Sequence, residues 1–320
     1  MATTDWRIRD FTSDDYRGVV RVDTEVYPDL PKTIDELVEF DKNRDPRCRW
    51  RRWVADCKGR LVGFGYYAQY AAKFHSQTFY IGGGVLKEFQ SLGIGTALYN
   101  RVMQALRAHE PRLIRAHARA DRAVAVRFLE SRGYQEYRRE GDSVLEVAKF
   151  DGPTTAGLED RLRQRGIQIR TLSELAADPD RDRKLYDLDW EVTRDEPGSG
   201  DDTRVDFETF VEKGINASHR LPDGYFVAVR GDEYIGLCLL NAIKANGTVK
   251  HGITGVKRPY RRMGVATALK VRAILYAREA GVPRIYTDNA VGNRAMLSIN
   301  ERLGFVRLPD WIFYEAGYVT

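Results

Sequence analysis

KHGITGVKRPYRRMGVATAL, residues 250–269, is the stretch on which the reading of this chain turns. Val249, His251, Ile253 and Val256 suit an extended segment, and Gly252 and Gly255 within it mark a bulge or a close backbone approach. Residues 257–262 make a basic corner containing Pro259. Gly264 and Ala266 then open a helix that carries Val265, Leu269, Ala273 and Tyr276 on one face. Small residues at such a start leave main-chain N–H groups uncovered where the helix dipole is positive. That setting favours a phosphate, and Arg261 and Arg262 add full charges to it.

The device occurs twice. Residues 81–98, IGGGVLKEFQSLGIGTAL, read as a glycine-bearing strand, a polar turn and a helix with Ile94, Leu98, Val102 and Leu106 on one face. Gln90 and Arg261, Gly93 and Gly264, Gly95 and Ala266 are each 171 residues apart, as are Gly133-Tyr134 and Gly304-Phe305. One offset kept from Gln90 to Tyr134 predicts a duplicated domain.

The order Gln/Arg-x-x-Gly-x-Gly/Ala after a strand ending in Val85 or Val256 resembles the acetyl-CoA loop of the GNAT acetyltransferase superfamily. Asn293, Met296, Asn300 and Gly304-Phe305 resemble that family's next helix and following strand. The whole chain is similar to a tandem GNAT protein, the architecture also seen in mycothiol synthase. The resemblance implies an α/β fold with a mixed sheet, as two tandem acyl-CoA N-acyltransferase domains over residues 1–150 and 158–320 that pack as an intramolecular pseudo-dimer. It implies acetyl-CoA as acyl donor and the primary amine of a small molecule or peptide as acceptor.

Residue by residue, the resemblance places the pyrophosphate on Arg261, Arg262, Met263, Gly264, Val265, Ala266 and Thr267, and in the first copy on Gln90, Gly93, Ile94, Gly95 and Thr96. The pantetheine arm would pair with the main chain of Thr254, Gly255 and Val256, and in the first copy with Gly83, Gly84 and Val85. Asn293 is expected to cap its helix while touching the cofactor. Where many relatives carry a tyrosine acid, this chain has Asn300, and in the first copy Leu129. Asparagine donates a hydrogen bond and leucine does not. Asn300 is therefore the catalytic candidate, the second copy the working one and the first a degenerate copy.

No general base is assigned. Lys250 stands where some relatives have a strand glutamate, His251 is expected on the surface facing away from the cofactor, and Tyr286, Tyr314, Glu301 or a water relay stay open. Two rivals remain. A dinucleotide oxidoreductase is disfavoured because Leu98 and Leu269 replace the third glycine of G-x-G-x-x-G. A non-catalytic acetyl-CoA-binding sensor is the alternative to an enzyme, prompted by the missing tyrosine.

Composition agrees with a two-domain protein away from the membrane. The 320 residues are 43% hydrophobic and 30% charged, with no apolar run approaching a span of about 20 residues. Three cysteines without a CxxC pattern point to reduced thiols and a cytoplasmic setting, and no His/Cys spacing suggests a metal. The net charge of +5 lies in the first half, with 26 basic against 21 acidic side chains in residues 1–150 and 25 against 25 in residues 151–320. Arg44, Arg47, Arg49, Arg51 and Arg52, interleaved with Trp50 and Trp53, raise a nucleic-acid surface; a solvated face beside a strand entering the core is the preferred reading.

In chain order, strands are expected at 6–9, 51–56, 61–69, 81–85, 112–118, 134–139 and 143–149, with helices at 14–25, 34–40, 94–108 and 123–131. Residues 151–157 read as a linker. The second copy follows with helices at 158–165, 182–191, 207–217, 265–276 and 293–303, and strands at 167–170, 224–230, 234–240, 249–256, 284–288 and 305–314. The acidic loop 194–204 is offered as one wall of an acceptor site for a cationic amine, against the plainer reading of a solvated loop.

Overall fold

The computed structural model describes residues 5–29, 31–151, 157–195, 203–243 and 245–318. The chain forms two compact units, residues 1–138 with 311–320, and residues 139–310.

In the first unit, β1 (Arg7–Asp10), β2 (Trp50–Cys57), β3 (Arg60–Ala68) and β4 (Thr78–Val85) run antiparallel in that order. Then β5 (Leu113–Arg119) joins β4 in parallel, and β13 (Trp311–Gly317) joins β5 antiparallel. Helices α1 (Tyr16–Val26), α2 (Ile34–Lys42), α3 (Ile94–Leu106) and α4 (Ala123–Glu130) cover the sheet. Local sequence sets their starts: Thr33 caps α2 through Glu36, each satisfying the other's main-chain N–H. The core collects Val22, Trp53, Phe79, Leu98 and Leu106 with Ile312 and Tyr314 from β13. The arginine-rich stretch is largely ion-paired. Arg52 is buried against Asp41 at 2.8 Å, Arg44 shares that carboxylate, Arg47 meets Asp45, and Trp53 is fully buried.

In the second unit the strand order is β7 (Ile167–Thr171), β8 (Arg220–Arg230), β9 (Glu233–Ile243), β10 (Thr248–Val256), β11 (Arg284–Ala290) and the later part of β6 (Gln135–Glu146), and among these pairs only β10 and β11 are parallel. The short β12 (Val306–Arg307) also pairs with β6. One side carries α8 (Val265–Glu279), with α5 (Leu158–Gln164) and α9 (Arg294–Arg302). The other carries α6 (Arg181–Thr193) and α7 (Phe207–Phe210), which runs on as a π turn. Strand alternation divides the two cores. Leu237 and Leu239 pack with α6, while Cys238 and Leu240 pack with α8.

Two expectations need correcting. Residues 134–149 are one long strand to Glu146 rather than two, and residues 140–146 pair with β11. Residues 305–314 do not form one strand closing the second copy. They divide into β12 and β13, and β13 closes the first unit beside β5. Alternating apolar residues announce a strand but not its partner, which is set by whichever sheet edge lies within reach. The expected linker falls largely on residues 152–156, outside the described residues.

Tyr314 is 1% exposed and donates to Glu130 at 3.1 Å, so β13 is part of the first unit's core. Tyr314→Ala should destabilise that unit by about 3–5 kcal/mol. In hydrogen exchange, β4 and β5 amides should speed up while β9 amides hold their rates.

Candidate active site

The site is built where β10 and β11 part. Their parallel pairing covers only Val249 with Ile285 and Lys250 with Tyr286. On its other side β10 stays paired with β9 through Thr254, Gly255 and Val256, after a register shift between His251 and Thr254. From the bulge onward, β10 therefore has one edge with no strand partner, and Thr254 to Val256 lie on it. A Cβ on Gly255 would come within 2.5 Å of Val192, so α6 presses against this edge and only glycine fits. The first copy is laid out alike: β4 and β5 pair only over Thr78–Tyr80, leaving Gly83, Gly84 and Val85 beyond the fork.

At the end of the edge the chain turns into α8. Arg262 and Gly264 both have positive φ, 62° and 88°, and the N-cap Gly264 supplies no side-chain cap. The first-turn N–H groups of α8, over Val265, Ala266 and Thr267, thus have no side-chain acceptor. The first copy repeats the backbone, with Ser91 and Gly93 at 61° and 83° before Ile94, Gly95 and Thr96. In both copies a side chain folds back to hold the strand's last carbonyl. Arg261 Nε donates to Val256 O at 2.9 Å, and Gln90 Nε2 donates to Val85 O at 3.0 Å.

The charges differ from expectation. Arg261 is not a spare cation, because it and Arg258 both bind Asp195, with Arg258 Nη2 at 2.5 Å from the carboxylate. Those two guanidinium groups, Arg258 foremost, hold the Asp195 carboxyl down to about 2. Arg262 and Met263 follow, exposed and half-buried. In the first copy, Arg132 lies 3.5 Å over the Phe128 ring and donates to Thr96 Oγ1 at 3.1 Å, beside the start of α3. Most of the acidic loop, residues 196–202, lies outside the described residues.

On the α9 side, Asn293 Oδ1 accepts from Met296 N at 3.2 Å, which makes it the helix cap. Asn300 is 2% exposed; its Nδ2 donates to Asn289 Oδ1 at 2.7 Å, and its own Oδ1 is buried without a partner. Leu129 is likewise buried, with no polar atom to offer. Among the proposed bases, Tyr286 is buried on β11 and Glu301 is exposed, while Tyr314 belongs to the first unit. Lys250 Nζ pairs with Asp288 Oδ1 at 2.7 Å.

His251 is not at the surface. It is 2% exposed, Nδ1 lies 3.4 Å from Cys238 Sγ, and Nε2 is buried without a partner. Thr254 Oγ1 also reaches Cys238 Sγ at 3.3 Å. Pairing is regular from Thr248 to His251, so alternation from buried Val249 already turns His251 inward; the register shift comes only after it. Behind this trio sits Lys270, 1% exposed and 5.4 Å from the Phe305 ring centre. Burial pulls its amine down to about 8, with Cys238 and Asp288 acting the other way. Burial, then Lys270, pushes His251 well below its usual range. Cys238 and Lys270 were missed in the sequence. The available signal was a lysine three, four and seven residues before buried Ala273, Ile274 and Ala277, on the helix's inner face.

Among the described residues no group of acidic, histidine or cysteine side chains is placed to hold a metal, and no helix is long and apolar enough to cross a membrane. The three cysteines are buried, and none of them forms a disulfide.

A model of the acetyltransferase (GNAT) family matches residues 5–134 and 183–305. The N-alpha-acetyltransferase 30 of Schizosaccharomyces pombe is 32% identical over 92 residues, which are 28% of this chain and 61% of that protein. Among solved structures, a tandem GNAT protein from the clavulanic acid biosynthesis pathway superposes with a TM-score of 0.75 at 18% identity, covering 98% of both chains. A GCN5-related N-acetyltransferase from Sphaerobacter thermophilus gives 0.71 at 18% identity, covering 99% of this chain and 97% of its own.

Lys270 supplies a pH test of the cluster. Its folded pKa of about 8 lies below its ordinary 10.5, so the buried charge costs stability at neutral pH. Between those values the unfolded chain binds more protons, and stability rises with pH. Relative to wild type, Lys270→Met should gain up to about 3 kcal/mol at pH 7, shrinking toward pH 10.5. Urea unfolding across that range measures the difference.

Proposed function

We propose that this chain, which belongs to the acetyltransferase (GNAT) family, transfers the acetyl group of acetyl-CoA to a primary amine of a small molecule or peptide, at a site in residues 158–320. One observation carries the reading: a strand edge freed at a bulge leads straight into a helix start whose N–H groups have no side-chain cap. An extended pantetheine arm carries amides that pair with such an edge, and its pyrophosphate matches the helix N-terminus. Thr254, Gly255 and Val256 would hold the arm, and residues 261–267 the phosphates. The N-alpha-acetyltransferase relative is in keeping with an amine acceptor.

Both reactants held on one scaffold react as an effectively unimolecular pair. The acceptor nitrogen attacks the thioester carbonyl and the thiolate leaves. Asn300 spends one Nδ2 hydrogen on Asn289 and keeps the other, which would stabilise charge developing on sulfur. Leu129 offers no such donor in the first copy, which supports a degenerate role for residues 1–150.

The deciding experiment is calorimetric titration of acetyl-CoA, with thiol release over an amine panel as the activity readout. Gly264→Glu, which must strain a φ of 88° and carries a bulky anion into the turn, should abolish binding and turnover. Gly93→Glu should spare most activity. The reverse pattern would move the working site to the first copy. Binding without turnover on any amine would favour a non-catalytic acetyl-CoA sensor.

A further inference from the structure

Asp189 and Arg220 are charges that the second unit withdraws from water without joining. Asp189 lies on the inner stripe of α6, one turn from buried Leu185 and Val192 and next to Leu188, and is half-buried. Arg220 opens β8, also half-buried, with Nε donating to Gly214 O at 2.7 Å and Nη1 to Asn241 Oδ1 at 2.6 Å. The two sense one another electrostatically, yet no ion pair within 4.0 Å links them. Burial dominates both: it lifts the Asp189 carboxyl to about 6 and lowers the Arg220 guanidinium. Separate desolvation of opposite charges is costly, and a direct pair would relieve it. Two half-buried opposite charges held apart, with Tyr225 beside both, suit a ligand that completes each of them.

Its position relates it to the free edge. Arg220, Asn241, Lys250 and Tyr286 are successive cross-strand partners on β8, β9, β10 and β11, so they form one row on one sheet face. That row contains the last pair before β10 and β11 separate. Arg220 lies two strand spacings from β10, about 10 Å, most of which its own side chain spans. Asp189 is one turn before Val192, the residue against which Gly255 of the free edge is packed. A Cβ on Gly252 would meet Asn241 Nδ2 at 3.1 Å, so the bulge itself abuts the residue that holds Arg220.

We propose that the space between Asp189 and Arg220 is the acceptor subsite, and that it takes a small molecule bearing both an ammonium and a carboxylate, an amino acid or short amino-carboxylate. This rests on the reading of residues 158–320 as an acetyltransferase site. Arg220 receives the carboxylate with its free Nη2, and Asp189 receives the ammonium. In the reaction the nitrogen bonds to the thioester carbonyl carbon and the carbon–sulfur bond breaks, its electron pair leaving on sulfur. Of the two protons the ammonium gives up, one passes to the Asp189 carboxylate and one to the CoA thiolate.

The test uses the full chain. The common L-amino acids, β-alanine and γ-aminobutyrate are each compared with their decarboxylated amines, by calorimetric binding in the presence of CoA and by thiol release from acetyl-CoA. At least one amino-carboxylate should bind and turn over, with its decarboxylated counterpart weaker by about tenfold or more in kcat/KM. Arg220→Gln should raise KM about tenfold or more for the amino-carboxylate and far less for the decarboxylated amine. Asp189→Asn should lower kcat and remove an acidic limb near pH 6 from the rate profile; the groups facing Asp189 are Arg220, Arg204 and Tyr225. Absence of binding by every amino-carboxylate, equal binding to Arg220→Gln, or preference for the decarboxylated amines would overturn the proposal. Failure of acetyl-CoA to bind is a different failure, that of the acetyltransferase reading. Amino-carboxylate binding that wild type shows and Arg220→Gln loses would even then support the subsite.

Discussion

A parallel strand pair that lasts for two residues is the constraint on which the second unit depends. Buried main-chain groups normally find partners, so a strand that leaves its neighbour inside a sheet is exceptional. Here β10 leaves β11 after Lys250, and the bulge at His251–Thr254 changes which side chains face which core. The consequences spread in both directions. On the α8 side His251 turns inward against Cys238, with Lys270 behind. On the α6 side Gly252 and Gly255 let Leu239, Asn241 and Val192 close on the strand. Without the fork, the uncapped start of α8 would be an ordinary helix end.

Polar groups are distributed unevenly around this fork. Where a charge has a structural task it is paired, as Lys250 is with Asp288, Lys257 with Glu233, and Asp195 with Arg258 and Arg261. Close to the fork, polar atoms are left incomplete: Asn300 Oδ1 and His251 Nε2 are buried without partners. A fold gains nothing in stability from such atoms, which each cost free energy when dry. Such atoms also occur in the first unit, at Arg52 Nε, Trp53 Nε1 and Arg122 Nε, so they are not confined to the fork.

The two copies show how the same backbone supports different chemistry. Positive φ at Ser91 and Gly93 matches that at Arg262 and Gly264, and Gln90 and Arg261 hold equivalent carbonyls. What differs is side-chain chemistry. Leu129 stands for Asn300, and Arg132, bonded to Thr96, lies beside a helix start where the second copy has Asp195-bound arginines. Duplication preserves geometry more readily than it preserves polar groups, because geometry is carried by glycines and buried apolar residues spread along each copy.

The sequence by itself determined the duplication, the element types and the two glycine-led turns from strand to helix. Those depend on local rules: glycine at positive φ, small residues at a helix start, apolar residues at helical or strand spacing. Only the tertiary structure decided which strand edges meet. Residues 140–146 pair with β11, and β13 pairs with β5, because strand partners are chosen by long-range edges that alternation does not encode. The inward turn of His251 and the buried placement of Lys270 beside Cys238 also came from the structure. The approach of the distant helix α8 brought Lys270 to them, and such a long-range contact leaves no periodic mark in the chain.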